Sequence, residues 1–147
     1  MSNGRDVPFE TTLLVRDTCL CLHAQRAARA LARRFDEALR PVGLTNGQFS
    51  LLMALNRPTP APMRAVASLL AMDRTTLTAA LKPLERRGLV ELRPDPKDGR
   101  SRLITLTPDG SSLLARAVPI WESTHRAVQA LTDGDADRLR SQLLALS

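Results

Sequence analysis

Between Met63 and Leu106 two short helical patterns, a two-residue turn and two alternating apolar runs follow one another without a break. This succession restricts the fold more than any other feature of the chain. The first pattern is MRAVASLLA, and Ala71-Met72 forms the turn. Asp73 stands where a side chain can cap the next helix, RTTLTAALKPLERRG, which ends with Gly88 as its C′ residue. Two helices so close together imply a helix-turn-helix. Val90 and Leu92 then alternate with Glu91 and Arg93, and Ile104 and Leu106 with Leu103 and Thr105, which predicts a hairpin. The octet between these runs, DPKDGRSR, exceeds the two residues a hairpin needs and carries Lys97, Arg100 and Arg102. It reads as an extended loop.

The flanks are helical. From about Glu10 to Arg40 there is neither Pro nor Gly, and Ala24, Ala27, Leu31, Phe35 and Ala38 recur at helical steps, which predicts one long helix ended by Pro41 and Gly43. In LTNGQF, Thr45 and Gln48 make a capping box, with Leu44 and Phe49 as its hydrophobic staple, over a helix from about Asn46 to Asn56. RPTPAP is a loop. Thr107-Pro108 opens a helix to about Ala130, kinked at Pro119, and Thr132 caps a last helix bearing Leu139, Leu143, Leu144 and Leu146. The expected class is mainly α with a small β-hairpin, in the order α-α-α-α-β-β-α-α. The 147 residues suit a single chain unit: residues 41–110 as a winged helix-turn-helix, and 10–40 with 108–147 as a helical frame.

Composition narrows the function. Net charge is +6, almost all from Arg, and residues 41–110 hold ten Lys/Arg against six Asp/Glu. An anionic partner is expected, nucleic acid before a membrane surface. No apolar run approaches the roughly 18 residues of a membrane span, and the N-terminus has no signal-peptide core, so a cytoplasmic location is expected.

On the helix after Asp73, Leu77, Ala80, Leu81 and Leu84 share one side and should face the core. The other side presents Thr75, Ala79, Lys82 and Arg86, flanked by Thr76 and Thr78. Taken alone this is a solvated face. Beside a basic hairpin tip it suits a major groove: Arg74, Thr75, Thr76 and Thr78 to read base edges, Lys82, Arg86 and Arg102 to meet phosphate. Arg100 is the candidate for the minor groove. Asp98 is placed to hold a neighbouring Arg, or simply to make the turn.

LTNGQFSLLMAL and the run MDRTTLTAALKPLERRGLVELRPDPKDGRSRLITLTPDG resemble the multiple antibiotic resistance regulator (MarR) family over about residues 12–146. The most specific part is the wing segment, with Asp98 and Arg100 at the Asp-x-Arg positions. The resemblance implies a homodimeric winged-helix transcription regulator, with the first and last two helices as the dimer interface; two recognition helices on one dyad predict a pseudo-palindromic double-stranded DNA site. Many members are repressors released by small aromatic ligands, and some sense oxidants. Pro83, inside the predicted recognition helix, departs from the common pattern.

Other groupings are weaker. On one continuous helix Cys19 and His23 share a face while Cys21 lies nearly opposite, which argues against a metal site and against a Cys19–Cys21 disulfide. Thiol sensing through Cys19 or Cys21 is an alternative, but the peroxide-sensing branch of the family relies on tyrosines and this chain has none. His23, Arg26 and Trp121 are candidates for a pocket taking a small aromatic acid. Neither His lies in a triad pattern and no Gly-rich phosphate loop occurs, so neither enzyme chemistry nor a cofactor is expected. The rival class is a winged-helix protein-interaction module, which should expose more apolar surface on the recognition face.

Overall fold

A computed structural model describes residues 6–147. The chain divides after Arg34 into two compact units.

The first unit holds α1 (Phe9–Thr18) and the start of α2 (Leu20–Leu39). The expected single helix is broken at Cys19, whose backbone is extended at φ −69° and ψ 110°. Cys19 acts as a cap. Its sulfur accepts from the Leu22 N–H at 3.4 Å, and its carbonyl accepts from the His23 N–H at 3.1 Å. No Pro or Gly marks this break, so periodicity ran straight through it. Cys19 is therefore not helical, and Cys19 and Cys21 do not stand on opposite faces of one continuous helix. Cys19 is half-buried and Cys21 exposed.

In the second unit, the end of α2 passes through a 3₁₀ turn (Arg40–Val42) to α3 (Asn46–Ala54). The capping box forms as expected: the Gln48 N–H donates to Thr45 Oγ1 at 3.2 Å and the Thr45 N–H to Gln48 Oε1 at 3.1 Å. Leu44 and Phe49 are both buried. Asp36, on α2, accepts from the Asn46 backbone N–H at 2.7 Å and from its side-chain amide at 2.8 Å. These bonds hold the Asp36 carboxyl below its ordinary pKa and fix the α2–α3 corner.

The RPTPAP segment is not all loop. Its end forms β1 (Ala61–Pro62), which pairs antiparallel with β3 (Asp98–Leu106), giving with β2 (Val90–Asp95) a three-stranded sheet in the order β1-β3-β2. A two-residue strand ending in Pro is too short for alternation to reveal. Next come α4 (Met63–Leu69), α5 (Arg74–Arg86), β2 (Val90–Asp95) and β3 (Asp98–Leu106). Then α6 runs Pro108–Gln129 and α7 Ala136–Ala145. Thr107 caps α6 as expected, accepting from the Gly110 N–H at 3.0 Å. Thr132 does not cap α7; its hydroxyl donates back to the Gln129 carbonyl, and Asp135 caps instead through the Arg138 N–H at 2.9 Å.

One core gathers these elements. Leu39, Leu52, Leu77, Leu84, Ala61, Ile104 and Ala117 are each fully buried. Together they draw side chains from α2, α3, α5, β1, β3 and α6. Among the described residues no helix is long and apolar enough to cross a membrane.

Candidate nucleic-acid interface

The helix-turn-helix is closed by local chemistry at both ends of α5. Its entry turn places Ala71 at φ 52°, with the Met72 N–H bonded to the Ala67 carbonyl at 2.9 Å. A left-handed residue just past a helix end lets the chain reverse while pairing the last carbonyls. Here that residue carries a Cβ. At its exit Gly88 takes φ 72°, with Gly88 N–H to Glu85 carbonyl and Leu89 N–H to Leu84 carbonyl at 2.9 and 3.0 Å, a Schellman ending.

Leu77, Leu81 and Leu84 are buried, which fixes the roll of α5 about its axis. That roll leaves Arg74, Thr75, Thr76, Thr78, Ala79, Lys82 and Arg86 exposed. The expected face therefore exists, and α5 remains helical through Pro83. Asp73 does more than cap. Its carboxylate accepts the Thr76 N–H at 2.7 Å and the Thr76 hydroxyl at 2.8 Å, and these bonds lower its pKa. The Thr78 hydroxyl donates to the Arg74 carbonyl at 2.8 Å.

The wing corrects the reading of DPKDGRSR. The octet is not an open loop: the strands extend to Asp95 and Asp98, leaving a two-residue turn, Pro96-Lys97. The extra length sits in β3. Pro94 pairs with Arg102 and Asp95 with Asp98, so one step along β2 corresponds to four along β3. Gly99, Arg100 and Ser101 thus bulge without partners on β2. Two aspartates fold this tip, since the Lys97 N–H donates to Asp95 at 2.9 Å and the Arg100 N–H to Asp98 Oδ1 at 3.1 Å. Asp98 therefore bonds the Arg100 backbone, not a guanidinium. Arg100 and Arg102 are exposed.

Two distant bonds were invisible in the sequence. Arg74 Nη2 donates to the Arg100 carbonyl at 3.2 Å, linking the first turn of α5 to the wing bulge. Arg87 Nη1 donates to the Gly43 carbonyl at 2.9 Å, tying the end of α5 to the α2–α3 corner. Each spans a separation that no local pattern encodes. Among the described residues, the ion pairs join Arg16–Asp17, Arg40–Glu37, Arg93–Glu91 and Arg140–Asp137. Lys82, Arg86, Arg100 and Arg102 are in none of them, so their charge is available to phosphate.

The second unit also holds an apolar cavity of about 380 Å³, lined by Phe49, Ser50, Met53, Ala54, Leu69, Val118 and Trp121. Trp121 stacks on Phe49 and on His125, with ring centroids 6.2 and 4.7 Å apart. Trp121, one of the three residues expected to line a pocket, lines this cavity. His23 and Arg26 belong to the first unit and are absent from this lining; His23 Nδ1 lies 2.7 Å from the Cys19 carbonyl. Among the described residues no group of three His, Cys, Asp or Glu side chains is placed to hold a metal ion.

A short-side-chain helix face beside a cationic wing, both carried on a helix-turn-helix, defines a winged-helix DNA-binding protein. Comparison with known proteins is specific. A MarR family model matches residues 42–101. The chain is 39% identical to the Mycobacterium tuberculosis regulator MosR, solved in complex with DNA, with a TM-score of 0.81 over 88% of this chain and 93% of that one. The repressor CouR, solved on a 23-mer duplex, is 30% identical with a TM-score of 0.77, over 90% and 94% of the two chains. The Bacillus subtilis organic hydroperoxide resistance transcriptional regulator is 29% identical over 94% of this chain and 92% of its own. The chain belongs to the MarR family and is a DNA-binding transcriptional regulator, not an enzyme.

Proposed function

We propose that this protein is a cytoplasmic homodimeric repressor that binds a pseudo-palindromic double-stranded operator through residues 41–110 and dimerises through 10–40 and 108–147. The observation that carries the DNA reading is the exposed α5 face, bonded to the wing through Arg74. In this reading Arg74, Thr75, Thr76 and Thr78 meet base edges, Arg100 enters the minor groove, Asp98 shapes the tip that carries it, and Lys82, Arg86 and Arg102 meet phosphate. Dimerisation is supported by apolar side chains left in solvent on the terminal helices: Phe9 is 69% exposed, Leu143 50% and Leu144 75%. Two recognition helices on one dyad read half-sites about one helical turn apart. Light scattering with footprinting tests this; a micromolar monomer protecting a single half-site overturns it.

For release, the cavity beside Phe49 and Trp121 supports a small aromatic ligand. Its lining offers apolar walls and the Ser50 hydroxyl, and no cation for a carboxylate. A ligand preferring the DNA-incompetent state shifts the dimer toward it by its differential affinity.

A second reading, release by thiol oxidation, is favoured by the helix break at Cys19. The Leu22 N–H donates to Cys19 Sγ at 3.4 Å and the Gln25 side-chain amide to Cys21 Sγ at 3.2 Å, so a donor group is held against each sulfur. Operator affinity tests this reading, measured with and without hydroperoxide for the wild type and a Cys19→Ser, Cys21→Ser double variant. Peroxide release that the double variant loses selects the thiol reading; indifference in both excludes it.

A further inference from the structure

The recognition helix is asymmetric in its hydrogen-bond capacity, and this bears on which bases it can read. A threonine hydroxyl has one hydrogen to donate and two lone pairs to accept with. The Thr76 hydrogen is engaged by Asp73 Oδ2 at 2.8 Å and the Thr78 hydrogen by the Arg74 carbonyl at 2.8 Å. Both side chains are exposed, so what they show to a groove is an oxygen lone pair and a methyl group. Ala79 adds a third methyl, and Asp73, held ionised by its bonds to Thr76, adds acceptor oxygens only. Arg74 is a donor, but Nη2 is bonded to the Arg100 carbonyl. Thr75 keeps its hydroxyl hydrogen.

In the major groove guanine offers only acceptors, N7 and O6, whereas thymine offers a methyl group, adenine an amino donor and cytosine an amino donor. An acceptor-and-methyl face is matched to the latter three. We infer that the methyl groups of Thr76 and Thr78 select thymine at the positions they face, while their oxygens, able only to accept there, exclude guanine from those positions. The inference rests on α5 being the helix that enters the major groove.

The probe is a duplex selected by the wild-type protein from a randomised library. Affinity is compared between this duplex and versions in which single thymines become deoxyuridine, which deletes the C5 methyl and leaves the pairing intact. A single such replacement in one half-site should weaken wild-type binding about fourfold, the burial of one methyl group. Thr78→Val keeps the methyl and should hold affinity within about threefold, with the same dependence on deoxyuridine. Thr78→Ser keeps the hydroxyl and should lose both the affinity and the deoxyuridine effect at one position. Selected half-sites should carry no guanine opposite Thr76 or Thr78. A strong loss in Thr78→Val with none in Thr78→Ser overturns the inference, because the hydroxyl then reads the base. Wild-type indifference to every deoxyuridine also overturns it, in a measurement that no variant's folding affects. Failure to select any sequence, with random duplex still bound, would instead remove α5 as a reader of bases.

Discussion

Arg74 Nη2 donates to the main-chain carbonyl of Arg100 at 3.2 Å, across 26 residues of sequence. The first residue of the recognition helix is thereby bonded to the bulge that carries the wing cation. The two DNA-facing elements are positioned by each other as well as by the core beneath them. Arg100→Ala should weaken operator binding by about 1–3 kcal/mol, most where flanks are A/T-rich. Arg74→Ala should weaken it too, and the double variant should lose less than the sum by at least about 0.5 kcal/mol. A double-mutant cycle on operator duplex measures this; strict additivity would show that the bond carries no coupling.

Lys82 lies on the exposed side of α5 and in no ion pair among the described residues. Lys82→Ala should weaken operator and random duplex by similar factors. The slope of log affinity against log salt should fall by about two, one counterion for the Lys82 of each protomer. Titrations at several salt concentrations provide the check. A loss confined to the operator would place Lys82 on a base instead.

Gly110, in the first turn of α6, has no room for a side chain. A Cβ there would stand 2.1 Å from the Leu89 carbonyl oxygen and 3.2 Å from Leu106 Cδ2. The nearest obstacle is backbone, which cannot swing aside as a side chain tip does. Gly110→Ala should destabilise the fold by about 3 kcal/mol or more, read from chemical denaturation.

Ala71 presents the opposite case, a Cβ where the turn requires a left-handed backbone at φ 52°. Left-handed geometry costs an L-residue about 1–2 kcal/mol, and glycine returns part of that gain as chain entropy. Ala71→Gly should therefore stabilise the protein by about 0.5–1 kcal/mol, visible as a higher denaturation midpoint.

Asp36 and Asp73 set the response to acid. Hydrogen bonds from Asn46 and from Thr76 hold their folded-state pKa values below 3.8. A carboxyl depressed by folding adds stability that is complete above its unfolded pKa and is lost as pH falls through the folded one. Asp36→Ala should cost about 1 kcal/mol near neutral pH, as the loss of a cap does. Its deficit relative to wild type should shrink progressively below about pH 4. Denaturation at pH 7, 4 and 3 reads the difference. A deficit that grows in acid would contradict the assignment.

Much of the binding apparatus was legible because its signals are local. Thr45 with Gln48, Asp73, Gly88 and Thr107 each mark a helix end within four residues of the groups they satisfy, and all four act as read. The apolar stripe Leu77, Leu81, Leu84 fixed which side of α5 turns outward, and so which threonines and cations a DNA surface meets. The break at Cys19 escaped because a sulfur cap has no propensity signature. Asp135 displaced Thr132 as a cap because Thr132 bonds backward to α6.

What the order of residues determined by itself was the set of elements, their ends and the polarity of each face, since these follow from backbone bonds and side-chain periods within a few positions. Only the tertiary structure decided how the wing is built. Alternation could not foresee that β3 would pair with β1 on its other side and bulge at Gly99–Ser101. Nor could it show that Arg74 would reach Arg100, or that Phe49 and Trp121 would wall one cavity. Those contacts join residues far apart in the chain. They form only once the common core has paid the entropy of bringing the segments together, and no single stretch carries that information.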